Sequence, residues 1–222
     1  VLAYGESCIQ ASSLDSRDTA VFRGAINGVA LNRDDRAHRF VVTMNAFFDG
    51  NRLAYLALAI AIAIDGLVCR YGRREVVRGL DLHVQAGETT ALLGENGCGK
   101  TTSIRALLGA VRPVKGHCRL LGGDSRSIPP AIFERVGVVA ESQESYDDLT
   151  VGELFSFLSP FYPRWDGTLA ASLTRVLDLP TDRRIGQLSR GGRMKAAIVS
   201  SLAYRPEAVL LDEPLAGLDE LA

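Results

Sequence analysis

Residues 94–101 read Gly-Glu-Asn-Gly-Cys-Gly-Lys-Thr. They follow the apolar run Thr89–Leu93 and precede a stretch with helical spacing, Thr102 to about Val111. The pattern is G-x-x-x-x-G-K-[ST] in a strand–loop–helix setting, the context that gives the motif meaning. Glycine enters left-handed backbone conformations without steric cost, so successive N–H groups can turn inward around an anion. The start of the following helix adds partial positive charge. Lys100 is then placed to reach the β- and γ-phosphates of a nucleotide, and the Thr101 hydroxyl to ligate Mg²⁺. A chance glycine-rich turn would not need the Lys-Thr pair at its end. A chain built around such a loop needs a strand ending at it and a helix leaving from it, which points to an α/β sheet fold.

The scarcity of lysine sharpens this. The chain holds 25 Lys and Arg together, of which only Lys100, Lys115 and Lys195 are lysine. Net charge is −1 and 47% of residues are hydrophobic, the balance of an ordinary globular domain with no global pull toward nucleic acid or an anionic surface. Cys8, Cys69, Cys98 and Cys118 form no C-x-x-C pair, and His38, His83 and His117 complete no ligand cluster, so neither a zinc site nor a disulfide framework is expected. The longest apolar run, Leu53–Ile64, is twelve residues. A bilayer span needs about 20.

Residues 1 to about 58 show no clear periodicity and carry no motif; the expectation is an unassigned leader, disordered or foreign to the mature protein. From about Ala59 the texture changes. Ile60, Ile62 and Ile64 alternate, as do residues of Val76–Val84, and both stretches read as strands. Further strands are expected at Gly116–Gly122, Val136–Ala140 and Ala208–Leu211. Residues 150–188 are expected to form a helical subdomain, and Arg193–Tyr204 a helix ending before Pro206. Strands alternating with helices predict a mainly parallel sheet, with the early alternating strands as an antiparallel layer.

Two further motifs carry chemistry. Leu210-Leu211-Asp212-Glu213 ends the last buried strand, where a carboxylate beside a phosphate loop suits Mg²⁺ coordination and a second one suits orienting a water. An acidic turn before Pro214 is the plainer alternative. Leu188-Ser189-Arg190-Gly191-Gly192-Arg193 stands just before a helix, and Ser189 with its glycines makes either an anion-binding helix start or an ordinary N-cap.

These three motifs in this order resemble the ATP-binding cassette (ABC) ATPases, over about Ala59 to Ala222. The resemblance implies a P-loop NTPase fold with ATP and Mg²⁺ as cofactors. Tyr71 is similar to the family's adenine-stacking aromatic, Leu188–Gly192 to its LSGGQ signature, Leu215-Ala216-Gly217-Leu218-Asp219 to its D-loop, and Asp148–Val151 to the segment after its Q-loop. Nucleotide contacts are then implied for Tyr71, Gly94, Asn96, Gly97, Cys98, Gly99, Lys100, Thr101 and Thr102, and for Ser189 and Gly191 of a facing copy. Mg²⁺ is implied for Thr101, Asp212 and Gln143. Glu213 is implied as the catalytic carboxylate. At the Q-loop, Gln143 has the usual side chain and Glu141 the usual spacing, and both stay candidates. Apart from the resemblance, Cys98 reads first as a small residue that fits the loop, and alternatively as a thiol that the helix start would make sensitive to oxidation.

The chain departs from the family at Arg190 and Gly192, where the signature has Gly and Gln. The family's switch histidine follows Walker B by a few tens of residues, whereas the given sequence runs nine residues past Glu213. The expectation is a cassette incomplete at its C-terminus. The implied function is ATP binding and hydrolysis that powers a separate integral membrane permease. Export is suggested by the Phe161–Asp166 stretch and the Arg-containing signature. The implied partners are a second ATPase subunit in a head-to-tail dimer and the permease, with no nucleic acid, at the cytoplasmic face of the membrane. The alternatives are a soluble ABC ATPase acting on nucleic acid or ribosomes, and a truncated fragment that binds nucleotide with little turnover.

Overall fold

The computed structural model describes residues 10–13, 39–43, 60–140 and 146–213. In chain order the strands and helices are β1 (Gln10–Ser13), β2 (Arg39–Thr43), β3 (Ile60–Tyr71), β4 (Arg74–Gln85), β5 (Thr89–Leu93), α1 (Lys100–Leu107), β6 (Lys115–Leu120), β7 (Gly123–Asp124), α2 (Pro130–Phe133), β8 (Val136–Val139), α3 (Val151–Leu158), α4 (Gly167–Val176), α5 (Arg190–Leu202) and β9 (Ala208–Leu211). Turns of 3-10 helix occupy Ser159–Phe161 and Ile185–Gln187.

Two sheets form the body. The order β4-β3-β6-β7 is antiparallel throughout, the layer expected from the alternating strands. The other sheet runs β1-β5-β2-β9-β8. Here β8 and β9 pair in parallel, and β5 points the same way because β2 lies antiparallel to both β5 and β9. Of the four strands outside the early alternating pair, β5, β8 and β9 run the same way as expected, whereas β6, at the expected Gly116–Gly122 strand, joins the antiparallel layer by pairing with β3. The ladders around β5 are nevertheless antiparallel, because β1 and β2, from the stretch without sequence motif, pair along both of its edges.

The core divides at β9. Ala208 and Leu210 face one cluster, with α1 and the antiparallel sheet; Val209 and Leu211 face another, with α3, α4 and α5. A strand with both faces buried needs an uninterrupted apolar run, which is why Ala208–Leu211 carries no polar residue. The helical stretch is broken where Pro160 and Pro163 deny it continuity. Its first helix starts at a capping box: Thr150 accepts from Glu153 N–H at 3.2 Å and Glu153 accepts from Thr150 N–H at 2.8 Å. The helix after the loop stops at Leu107, four residues short of the expected end, because Gly109 turns left-handed at φ 74°.

The segment before α4 is locked onto the corner between α5 and β9. Tyr162 stacks on Tyr204 at 3.9 Å between centroids, and the Tyr204 hydroxyl donates to Val136 O at 2.8 Å. Asp166 N–H donates to Ala203 O at 2.7 Å, and Arg205 Nε donates to Asp166 Oδ2 at 2.8 Å. Glu207 accepts from Arg135 Nε at 2.9 Å and Nη2 at 2.6 Å, and from Arg164 Nη1 at 3.0 Å. Those bonds join the residues that precede β8 and β9, so they hold the two strands in register at their entry.

Hydrogen bonds from the Arg135 guanidinium hold the Glu207 carboxyl below its ordinary pKa. A carboxyl depressed in the folded state stabilises fully above the unfolded glutamate value and loses that contribution as the pH falls. Glu207→Gln is therefore expected to lower thermal stability near neutral pH, by about 1–3 kcal/mol for charge-assisted bonds lost. The gap from wild type should narrow below about pH 4. Thermal unfolding of both proteins across that range checks it.

Candidate functional site

The loop between β5 and α1 is shaped from beneath. Gly99 caps α1 at φ 108°, and a Cβ there would lie 2.8 Å from Val77 Cγ2 and 2.9 Å from Val76 O. Only glycine satisfies both the left-handed backbone and the contact with β4. The Lys100 side chain is 5% exposed, and its ammonium donates to Gly94 O at 2.7 Å and Glu95 O at 2.9 Å. It also lies 3.9 Å from Cys98 Sγ. The cation is thus held inside the loop, where its bonds can be exchanged for phosphate oxygens. Thr102 and Ser103 are buried, and Ser103 Oγ returns a bond to Gly99 O at 2.9 Å. Asn96 and Gly97 are exposed at the loop's crest.

From the other side comes β9. Asp212, 5% exposed, follows its last residue and donates its N–H to Val139 O at 2.8 Å. Thr101 Oγ1 donates to Asp212 Oδ1 at 3.1 Å, across 111 residues of sequence. A hydroxyl and a carboxylate side by side are hard oxygen donors of the kind Mg²⁺ takes, with phosphate oxygens and water completing its shell. Among the described residues there is no group of three or more His, Cys, Asp and Glu able to hold a metal on its own. Two protein oxygens suit an ion that arrives with the nucleotide. Glu213 follows at φ 50°, a left-handed position that costs a non-glycine residue about 1–2 kcal/mol.

Tyr71 ends β3 opposite Arg74, 49% exposed, at the tip of the hairpin whose second strand carries Val76 and Val77. Ser189 caps α5, its hydroxyl accepting from Gly192 N–H at 3.1 Å, so the N-cap geometry is realised. Gly191 is buried in the first turn of that helix. Ser189 and Gly191 belong to the helical region, on a different element from the loop. Glu141, Gln143 and the D-loop segment 215–219 lie outside the described residues.

Sequence reasoning passed over Arg193. Its Nη2 donates to Gly186 O at 3.0 Å and its Nε to Leu188 O at 3.3 Å, bracing the turn that presents Ser189. Its position four residues after Ser189, hence on the same helix face, was the available signal. Val76 and Val77 had no signal at all, because the wall they form under Gly99 exists only when β4 folds against the loop.

Residues 77–216 match the sequence profile of the ABC transporter family. The chain belongs to the ABC transporter ATPase family. It is 35% identical over 166 residues to an Fe(3+) ions import ATP-binding protein of Rhodococcus jostii, covering 73% of this chain and 48% of that one. It is 34% identical over 167 residues to the Nod factor export ATP-binding protein I of Paraburkholderia xenovorans, covering 73% and 55% respectively. The chain spans about half the length of these curated relatives. A dimeric bacterial ABC transporter cassette shares its fold at a TM-score of 0.59 and 19% identity, over 71% of this chain and 76% of that one. A putative ABC transporter ATP-binding protein from Pyrococcus furiosus does so at 0.58 and 18%, over 72% and 78%.

The wall beneath Gly99 separates two glycines that look alike in the motif. A Cβ on Gly97 would meet nothing within 4 Å, although its φ is 78°. Gly97→Ala is expected to cost about 1 kcal/mol of backbone strain and to leave the packing of the loop on β4 intact. Gly99→Ala must displace Val76 backbone and should lose binding and several degrees of melting temperature. Nucleotide titration and thermal unfolding of the two variants distinguish them.

Proposed function

We propose that this chain is the nucleotide-binding cassette, from about residue 59 onward, of a subunit that hydrolyses ATP to drive a separate membrane permease. The observation that carries this reading is the Thr101–Asp212 contact, which unites the phosphate loop with the end of β9. Lys100 would exchange its bonds to Gly94 O and Glu95 O for phosphate oxygens, neutralising charge where it develops. Thr101 and Asp212 would hold Mg²⁺ between them, with Gln143 or Glu141 completing the protein's share. Bound there, Mg²⁺ would screen the phosphates and align them for in-line attack. Glu213 would orient the attacking water and accept its proton. Tyr71 would stack on adenine.

Ser189 and Gly191 stand on α5 rather than on the loop, which supports a composite site. A second copy packed head to tail would bring its α5 start to the phosphates held by this copy's loop. ATP would then act as the bridge between subunits, and its hydrolysis would release them. The family and both relatives support a transport role. They include an import and an export component, so export rests on the resemblance of residues 161–166 and Arg190 alone.

Among the described residues no helix is long and apolar enough to cross a membrane. Docking to a permease would therefore fall to the surface. Tyr146, Phe157 and Phe161 are exposed and meet edge to face at 5.1 and 5.4 Å, just after the segment that holds Gln143. Phe155 and Trp165 turn inward and pack on the helical core, so the aromatic stretch serves both ends.

Glu213→Gln removes the proton acceptor and keeps the side chain's shape. In the full-length protein it is expected to bind ATP as wild type does and to lose turnover by about 10²–10⁴-fold. Steady-state phosphate release measured beside nucleotide titration checks this; unchanged hydrolysis would overturn the catalytic role given to Glu213.

A further inference from the structure

The tip of the β3–β4 hairpin is strongly cationic. Arg70, Arg73 and Arg74 flank the turn, Arg78 follows on β4 and Lys115 joins from β6; among the described residues Glu75 is the carboxylate at the turn, with Asp65 and Asp81 further along the strands. All five cations are exposed. Strand register explains the crowding, since Val68 of β3 pairs with Arg78 on one side and Lys115 on the other. Arg70 hydrogen-bonds Glu75, and Arg78 and Lys115 add to the field that holds the Glu75 carboxyl below its ordinary range. Glu75 is engaged by Arg70, Asp65 by His83 and Asp81 by the Gly66 N–H, so the tip keeps a positive excess in a chain of net charge −1.

The tip is also mechanically tied to the phosphate loop. Val77 points inward and would touch a Cβ on Gly99, while its neighbour Arg78 points outward. The charges on the outer face therefore sit on the same strand that walls the loop, where their field reaches it most strongly when the Debye length is long, about 30 Å at 0.01 M salt. From the outer face such cations raise the potential through which an anion approaches the loop without needing to touch its phosphates.

We propose that the hairpin tip is an electrostatic collector that speeds capture of anionic nucleoside triphosphate by the phosphate loop. The proposal rests on the loop being the nucleotide site. It assigns the tip to the association step: the arginines accelerate arrival, and the loop determines how long the nucleotide stays. Glu75 tempers the field and pins Arg70, which is why Arg73, Arg74, Arg78 and Lys115 are the groups free to act at a distance.

The test is stopped-flow binding of a fluorescent ATP analogue with Mg²⁺. In the R73Q/R74Q/R78Q variant the association rate is expected to fall about three- to tenfold at low salt, with the dissociation rate unchanged. The difference should close near about 1 M salt, where the Debye length is about 3 Å. Equal association rates at low salt would overturn the proposal, as would a loss confined to the dissociation rate, which would mark direct contact instead. K115Q alone, on β6 beside the hairpin rather than in its turn, gives the same reading if the triple variant folds poorly, with a smaller drop. Wild-type association that does not vary with salt would also overturn it. Lys100→Ala separates the two layers: if it binds the analogue as wild type does, the loop reading fails, and the collector is judged on its own rates.

Discussion

The hydrogen bond from Thr101 to Asp212 is the point on which the site depends. Asp212 is nearly out of reach of water, and a carboxylate so placed is costly unless donors or a metal compensate it. The Thr101 hydroxyl and the β9 strand end supply that environment together. Neither works alone. Thr101 is aimed by the turn at Gly99, which is held by the wall of Val76 and Val77. Asp212 is aimed by β9, which is held from both faces and by its parallel pairing with β8.

Because β9 is only four residues long, its placement is decided at its entry. There the Glu207 carboxylate binds Arg135 and Arg164, and Arg205 binds Asp166. The same bonds attach the α4 side of the helical region. A residue five positions before Asp212 thus connects the carboxylate that faces the loop with the helices that carry Ser189. Tyr162 and Tyr204 stack beside the same corner and add an aromatic contact to these charged bonds.

Much of the site was legible in the sequence because its chemistry is local. Gly94–Thr101 encodes turn, helix start and cation within eight residues, and Leu210–Glu213 encodes buried strand and carboxylate within four. The antiparallel layer was legible from the alternation of Ile60, Ile62 and Ile64. Less was legible where a residue's partner is distant. The aromatic run 155–165 carries no local pattern that says which rings face the core, and the structure divides it, with Phe155 and Trp165 packed on the core and Phe157 and Phe161 exposed. The pairing of β2 between β5 and β9 had no signature, since five ordinary residues do not name the strands they join.

By itself the sequence determined the loop, the strand ends and the family, because each rests on residues close enough in the chain to constrain one another's backbone. Only the tertiary structure decided which groups meet. It placed Thr101 against Asp212, Gly99 against Val76 and Tyr162 against Tyr204. Each of those contacts joins elements separated by tens of residues. Their geometry follows from strand order and two-sided burial, and no local pattern specifies either.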